Sequence, residues 1–340
     1  MRQIVNRSDG GYEVLEVQEV PDLAPKPDEL IIDVKASGLN FADLLARKGL
    51  YPDAPSKPCV MGYEVAGKVS AVGDTVDSGW LGKEVLAFTR FGGQAEQVSV
   101  KEPQLFEKPG ELSFEQAAGL PVNYLTAYML LVVMGSLSAE ESVLVHNVGG
   151  GVGIAALDIA KHIGATIYGT ASGRKHDFLR ERGLDHAIDY RNNDWYEVLM
   201  DLTDEKGVEL ITDPLGGKEF RKSYKALRAT GRLGMFGISS ASRSSGRISG
   251  VWNMLKTVVR MPFYHPVPLM NKNRGVFGVN LGHLWHEPGK SQIWMRELLN
   301  GVEEGWIRPH IDTTFRFDEI ADAHRYIEER NNIGKVILVP

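Results

Sequence analysis

An α/β fold is predicted, with a doubly wound parallel sheet accompanied by a smaller β-rich, barrel-like region. Three observations in the 340 residues predict it. Ser142–Ile154 reads as a short apolar strand, a glycine-rich turn and the start of an apolar-periodic helix. Beyond it, strand and helix patterns alternate, as parallel strands joined by helical crossovers do. Before Leu120, short strand-like runs are punctuated by Gly and Pro, the texture of an antiparallel barrel. A chain of this length exceeds one ordinary core, so roughly two domains are expected.

Each element follows from local pattern. Glu29–Ser37, Glu64–Val72 and Lys83–Phe88 alternate at the period of a half-buried strand. Phe114–Gly135 carries apolar residues at helical spacing, interrupted by Pro121. Strands are predicted at Ser142–His146, Thr166–Gly169, His186–Asp189, Val208–Thr212 and Arg232–Gly237, and helices at Ile154–Ile163, Arg174–Glu181, Trp195–Thr203 and Lys218–Leu227. Ser239–Met270 reads as an irregular insert rich in Ser and Arg, with apolar Trp252, Leu255, Val258 and Val259. A lid over a ligand cleft or a packed surface helix fits it, and so, with Lys256 and Arg260, does a membrane-surface contact. A strand at Gly275–Leu281, a helix around Gln292–Glu304 and a final helix and strand within Asp318–Pro340 complete the chain.

Composition excludes several classes. Hydrophobic residues make up 43% and charged residues 24%, as in ordinary globular proteins. A net charge of -6 without a long basic run argues against nucleic-acid binding. Cys59 is the only cysteine, so no intrachain disulfide and no cysteine-rich zinc site can form. None of the nine histidines stands at metal-pair spacing, and no metal is expected. The opening Met1-Arg-Gln-Ile-Val lacks the apolar core of a signal peptide. The most apolar stretch, Tyr124–Val133, is short of the roughly 20 residues a spanning helix needs. A cytoplasmic protein without stable membrane insertion is the expectation.

The glycine turn names a ligand class. In the pattern G-x-G-x-x-G, the second and third glycines fit Gly150 and Gly153, while Val148 holds the first position. Taken with the preceding strand, the following helix and a second strand about 20 residues on, it reads as a Rossmann-type dinucleotide site. Gly150 lets backbone approach the pyrophosphate, Gly153 lets helix pack on strand, and Gly151 and Val152 complete the turn. An NAD site usually ends its second strand with a carboxylate for the ribose 2′-hydroxyl. Here Gly169–Lys175 has none, and Ser172, Arg174 and Lys175 suit a 2′-phosphate instead. NADPH is therefore the expected cofactor.

The chain resembles the medium-chain dehydrogenase/reductase superfamily, in particular its zinc-free quinone oxidoreductase group and the vesicle amine transport protein branch. The resemblance rests on Ser37–Asp43, Arg47–Tyr51, Met61–Gly67, Leu125–Tyr128, the glycine turn, Asp213–Gly217, Asn273–Gly282 and Gly334–Leu338. It implies a GroES-like β-rich barrel domain over residues 1–120, an NADPH-binding Rossmann domain over 121–280 and a return to the first domain over 281–340. Where the zinc alcohol dehydrogenases place three zinc ligands, this chain has Asn40, Tyr63 and Val122. Without the metal's Lewis acidity, oxidation of an unactivated alcohol is disfavoured, whereas a quinone or enone is already electrophilic.

By family position, Asn40 and Tyr51 line the acceptor cleft. Asn40 is expected to donate an amide hydrogen bond to the acceptor oxygen, and Tyr51 a hydrogen bond or a proton. Tyr63 either touches substrate or fills a former ligand's space. Asp43 and Glu64 are expected to be structural. Thr126 is expected near the nicotinamide and Tyr190 near the adenosine phosphate. Lys335 either reaches the cleft from the returning segment or lies on a solvated face. The expected reaction is zinc-independent hydride transfer from NADPH to a quinone. Its alternatives are 2-alkenal or enone C=C reduction, and an NADPH-binding sensor or scaffold without turnover. The expected partner is a small electrophilic acceptor. A homodimer is expected through the apolar strand at Gly275–Leu281.

Overall fold

A computed structural model describes residues 1–240 and 247–340. The chain divides into two compact units, Met1–Leu125 with Leu281–Pro340, and Thr126–Asn280. The first unit begins with β1 (Arg2–Asn6), β2 (Leu15–Glu19), β3 (Leu30–Leu39), α1 (Phe41–Arg47) and β4 (Cys59–Val60). It continues through β5 (Glu64–Val72), β6 (Glu84–Phe88), β7 (Gln97–Val100), β8 (Leu105–Glu107) and α2 (Phe114–Ala118). On β3, Leu30, Ile32 and Val34 recur every second residue and bury one face against Val65, Val69 and Val85. The helical pattern expected at Phe114–Gly135 breaks where Pro121 stands. Proline opens a new helix there, α3 (Pro121–Tyr128), at the position that needs no N–H.

The second unit is a parallel sheet. Its elements are β9 (Ser142–His146), α4 (Gly151–Ile163), β10 (Thr166–Ala171), α5 (His176–Glu181), β11 (His186–Asp189), α6 (Trp195–Leu202), β12 (Val208–Asp213), α7 (Lys218–Lys225) and β13 (Leu227–Met235). Then come α8 (Arg247–Val259), α9 (Pro266–Lys272) and β14 (Gly275–Gly278). The strand order is β11-β10-β9-β12-β13-β14, with every neighbouring pair parallel. Counted from β9 as the first strand, this is the 3-2-1-4-5-6 order of dinucleotide-binding sheets, reversing between β9 and β12. Leu144, Ile188, Leu199, Ile211, Phe220 and Leu233 form its buried core.

Three expectations change here. The insert Ser239–Met270 is not irregular as a whole, because α8 and α9 occupy most of it; residues 241–246 lie outside the described residues. Trp252, Leu255, Val258 and Val259 are exposed, at a spacing that suits one helix face. The strand predicted at Arg232–Gly237 begins earlier, at Leu227, because the polar run Arg228–Gly231 is looped out between Val208↔Leu227 and Leu210↔Arg232. The strand predicted at Gly275–Leu281 stops at Gly278.

The chain then returns to the first unit with α10 (Pro288–Glu303), β15 (Ile311–Arg316), α11 (Ile320–Glu328) and β16 (Lys335–Val339). β16 runs antiparallel to β3 inside a seven-stranded sheet, and Val336 and Leu338 join Ile4, Leu39 and Leu44 in a shared core. This pairing carries Lys335 to the end of β3, beside Asn40.

Candidate active site

In the second unit, three strands end on one edge of the sheet. Thr170 of β10 lies beside His146 of β9, and Ala171 beside Asp189 of β11. The segments that follow carry Gly150–Gly153, Ser172, Arg174, Lys175 and Tyr190, which share the carboxyl edge; Thr126 stands apart from them in α3. Asn147, not residue 148, takes the left-handed backbone of the turn, at φ 54°. Asparagine tolerates that conformation, which leaves Val148 fully buried where a glycine was expected. The Gly150 N–H donates to Asn147 O at 2.9 Å. α4 starts at Gly151, earlier than the predicted Ile154, so the glycines form its first turn. Gly151, Val152 and Gly153 offer N–H groups with no acceptor among the described residues, and the turn holds no acidic residue and no side-chain cap.

Lys175 is 5% exposed, and its stem packs against Gly149, where an added Cβ would lie 2.8 Å from Lys175 Cδ. Ser172 is buried, Arg174 exposed and Tyr190 half-buried. Behind the turn, Asp213 Oδ2 accepts from Ser223 Oγ at 2.6 Å, and Ser223 Oγ lies 3.2 Å from His146 Nε2. His146 Nδ1 is 3.1 Å from Thr170 Oγ1, which also accepts the Asn147 N–H at 3.1 Å. Burial pushes His146 down to about 4, so the ring is neutral, and burial pushes Asp213 up to about 6. This chain of hydrogen bonds ties three strands and α7 to the base of the turn.

In the first unit, Asn40 precedes α1, where its side chain would ordinarily cap the helix. It turns elsewhere. Asn40 Oδ1 accepts from Lys335 Nζ at 2.7 Å, and Asn40 Nδ2 donates to Glu64 Oε1 at 3.0 Å and Gly38 O at 3.3 Å. Asn40 Nδ2, expected to donate to an acceptor, is thus engaged within the protein. Lys335 Nζ is paired with Glu64 Oε1, and Glu64 Oε2 accepts the Val122 N–H at 2.7 Å. Lys335 is 4% exposed and Glu64 0%. The solvated-face alternative for Lys335 is therefore overturned, and Glu64 is held in a buried ion pair.

The donor set does not suit zinc, which is held by His, Cys or carboxylate ligands. Asn40 contributes an amide, Tyr63 a phenol and Val122 only backbone, while Glu64 is held by an ammonium. Among the described residues, no group of three or more His, Cys, Asp or Glu is placed to hold a metal.

Asp43 supports this cluster from α1. Its Oδ2 accepts the Asn40 N–H at 2.8 Å and its Oδ1 the Gly62 N–H at 3.2 Å. Burial nevertheless outweighs these bonds and pushes the carboxyl from 3.8 up to about 7. The folded protein thus holds a proton that the unfolded chain releases, so this contribution is full below 3.8 and is lost as pH rises to about 7. We expect the unfolding free energy of wild type minus that of Asp43→Asn to fall across this window and then level. Denaturant titrations at stepped pH check it; a constant difference would mean that Asp43 ionises normally in the fold.

Tyr51 and Tyr63 come together beyond this cluster. Their rings meet edge-on with centroids 6.3 Å apart, and Phe91 lies 5.6 Å from the Tyr63 ring. The Tyr63 hydroxyl is enclosed, with the Tyr51 hydroxyl as its polar neighbour. Burial first and Asp43 second push its pKa up, and burial followed by Asp53 raises that of Tyr51. Both phenols hold their protons. The pair borders a cavity of about 280 Å³ that Phe91 and Trp285 also line. Sequence reading missed those two, since no local pattern links them to the tyrosines. Thr126 is buried in α3.

Comparison with known proteins places this geometry in a family. The alcohol dehydrogenase GroES-like domain family matches residues 26–128, and the zinc-binding dehydrogenase family matches residues 182–338. The synaptic vesicle membrane protein VAT-1 homolog of Danio rerio is 39% identical over 339 residues, which is 99% of this chain and 69% of that protein. Escherichia coli quinone oxidoreductase, solved in complex with NADPH, shares 28% identity at a TM-score of 0.86 and covers 100% of both chains. The CurK enoyl reductase shares 28% identity at a TM-score of 0.85, covering 99% of this chain and 98% of its own. With a GroES-like first unit, a Rossmann-type second unit and these relatives along its whole length, the chain belongs to the medium-chain dehydrogenase/reductase superfamily of oxidoreductases, in the quinone oxidoreductase group close to the VAT-1 branch.

Proposed function

We propose that the protein is a zinc-independent reductase that uses NADPH to reduce a quinone. The observation that carries this reading is the uncapped start of α4, flanked by buried Ser172 and Lys175. The N–H groups of Gly151, Val152 and Gly153 would hold the pyrophosphate, where the positive end of the helix favours an anion. Ser172, Arg174 and Lys175 would take the 2′-phosphate, with Tyr190 at the adenosine end. Thr126 and Lys335 are assigned to the cofactor by family position; Lys335 would act through an ammonium proton not used by Asn40 and Glu64. When bound, NADPH supplies the hydride. Tyr51 offers its hydroxyl to the acceptor oxygen. Burial raises its pKa and keeps it protonated, as a donor must be; the proton comes from Tyr51 or from solvent. Tyr63 shapes the pocket and stands beside the Tyr51 hydroxyl. A quinone needs no Lewis acid, in keeping with the donor set.

Enone reduction is the second reading, favoured by the likeness to the CurK enoyl reductase. The test is steady-state oxidation of NADPH and NADH with 9,10-phenanthrenequinone and with a short 2-alkenal. NADPH-dependent turnover of the quinone is expected. Faster alkenal reduction supports the second reading, and no turnover with either supports a cofactor-binding sensor or scaffold. Lys175→Ala is expected to weaken NADPH binding about tenfold and NADH binding little, as loss of a charge-assisted contact implies. Equal losses would remove Lys175 from the 2′-phosphate site.

A homodimer through β14 belongs to the same reading, because among the described residues β14 pairs with β13 alone and ends its sheet. Sedimentation at micromolar concentration tests it, and a monomer alone counts against it. No helix among the described residues is long and apolar enough to cross a membrane. A cytoplasmic site is proposed with the rest, and cell fractionation that recovers the protein only with membranes would reject it.

A further inference from the structure

The cavity beside Tyr51 and Tyr63 has a polar rim as well as aromatic walls. Tyr51, Tyr63, Phe91 and Trp285 give it faces and edges suited to a planar ring. At the rim stands Arg90, two residues after β6. It is exposed, and no ion pair or hydrogen bond of its side chain is present among the described residues. The single carboxylate on the rim, Asp53, is already committed to His283 Nε2 at 2.8 Å. His286 is exposed at the same opening and adds a further ring nitrogen. The cavity lining thus combines an exposed, unanswered guanidinium with aromatic side chains, and a guanidinium binds carboxylate, sulfonate or phosphate through paired N–H groups.

We propose that this pocket selects planar aromatic acceptors bearing an acidic substituent, and that Arg90 is the residue that recognises the charge. The proposal rests on the reading of the protein as a quinone reductase and narrows its substrate class. An uncharged ring gains only the aromatic walls. A ring with an acidic group gains these and a charge-assisted contact, moderated by solvent at an exposed site.

The experiment compares a sulfonated naphthoquinone with its uncharged parent under NADPH, in wild type, Arg90→Gln and Arg90→Lys. The ratio of kcat/KM for the sulfonated over the uncharged quinone is expected to fall about five- to tenfold in Arg90→Gln, and to recover in part in Arg90→Lys. The same ratio should fall with added salt in wild type but not in Arg90→Gln. An unchanged ratio in Arg90→Gln overturns the proposal. Calorimetric titration with the unreactive pair naphthalene sulfonate and naphthol separates recognition of the acid from turnover. If neither quinone is reduced but Arg90→Gln selectively weakens the sulfonate, the acid preference stands and the reductase reading fails. If the sulfonate binds wild type and Arg90→Gln alike, the acid preference fails whatever the turnover.

Discussion

Lys335→Met is expected to lower the unfolding free energy by about 3–5 kcal/mol, the usual consequence of stripping a buried ion of its partner. Glu64 is fully buried, and Lys335 supplies its counter-charge from β16. Without the ammonium, Glu64 keeps only the N–H of Val122 and the amide of Asn40. The carboxylate must then take up a proton or admit water, and each disturbs the end of β3. The double variant Glu64→Gln with Lys335→Met removes both charges of the pair and is expected to recover most of the loss. Urea denaturation of wild type, both single variants and the double variant checks this. If the double variant is no more stable than the worse single variant, the cost lies in packing rather than in the unpaired charge.

Gly153→Ala is expected to raise the dissociation constant for NADPH about tenfold or more and to destabilise the fold by about 1–3 kcal/mol. An added Cβ would collide with Asn147 O and would sit 2.5 Å from Val148 O. Both are backbone atoms where β9 gives way to the turn, and they have no flexible side chain to yield. α4 must lift off the strand, carrying its first-turn N–H groups with it. Gly110→Ala is the control, because a Cβ there meets nothing within 4 Å. The readout is the melting temperature with and without NADPH, since ligand that binds only the folded state raises it. A rise in Gly153→Ala equal to that of wild type would detach the glycine turn from cofactor binding.

What the sequence disclosed was local. Ser142–His146, His186–Asp189 and Glu64–Val72 were legible with their observed bounds, since a strand's alternation or apolar run is written in consecutive residues. The glycine turn was legible for the same reason, although the role of Asn147 in replacing a glycine was not. α8 was hidden because its Ser- and Arg-rich approach masked a face spaced at Trp252, Leu255 and Val259. The active-site chemistry was least legible where it is longest in range. Lys335 and Glu64 are 271 positions apart, and only the pairing of β16 with β3 brings them together. Arg90, Phe91 and Trp285 likewise meet the tyrosines only through the fold.

That separation bears on how the protein is made. The whole second unit is synthesised after Glu64 and before Lys335, so for most of translation the carboxylate has no counter-ion. Until then the first unit can close around Glu64 only with the carboxyl protonated or hydrated, whereas the dinucleotide sheet, contiguous in sequence, is free to form. Arrival of β16 is thus the step that seals the first unit, and the strand that completes its sheet is also the one that delivers the missing charge.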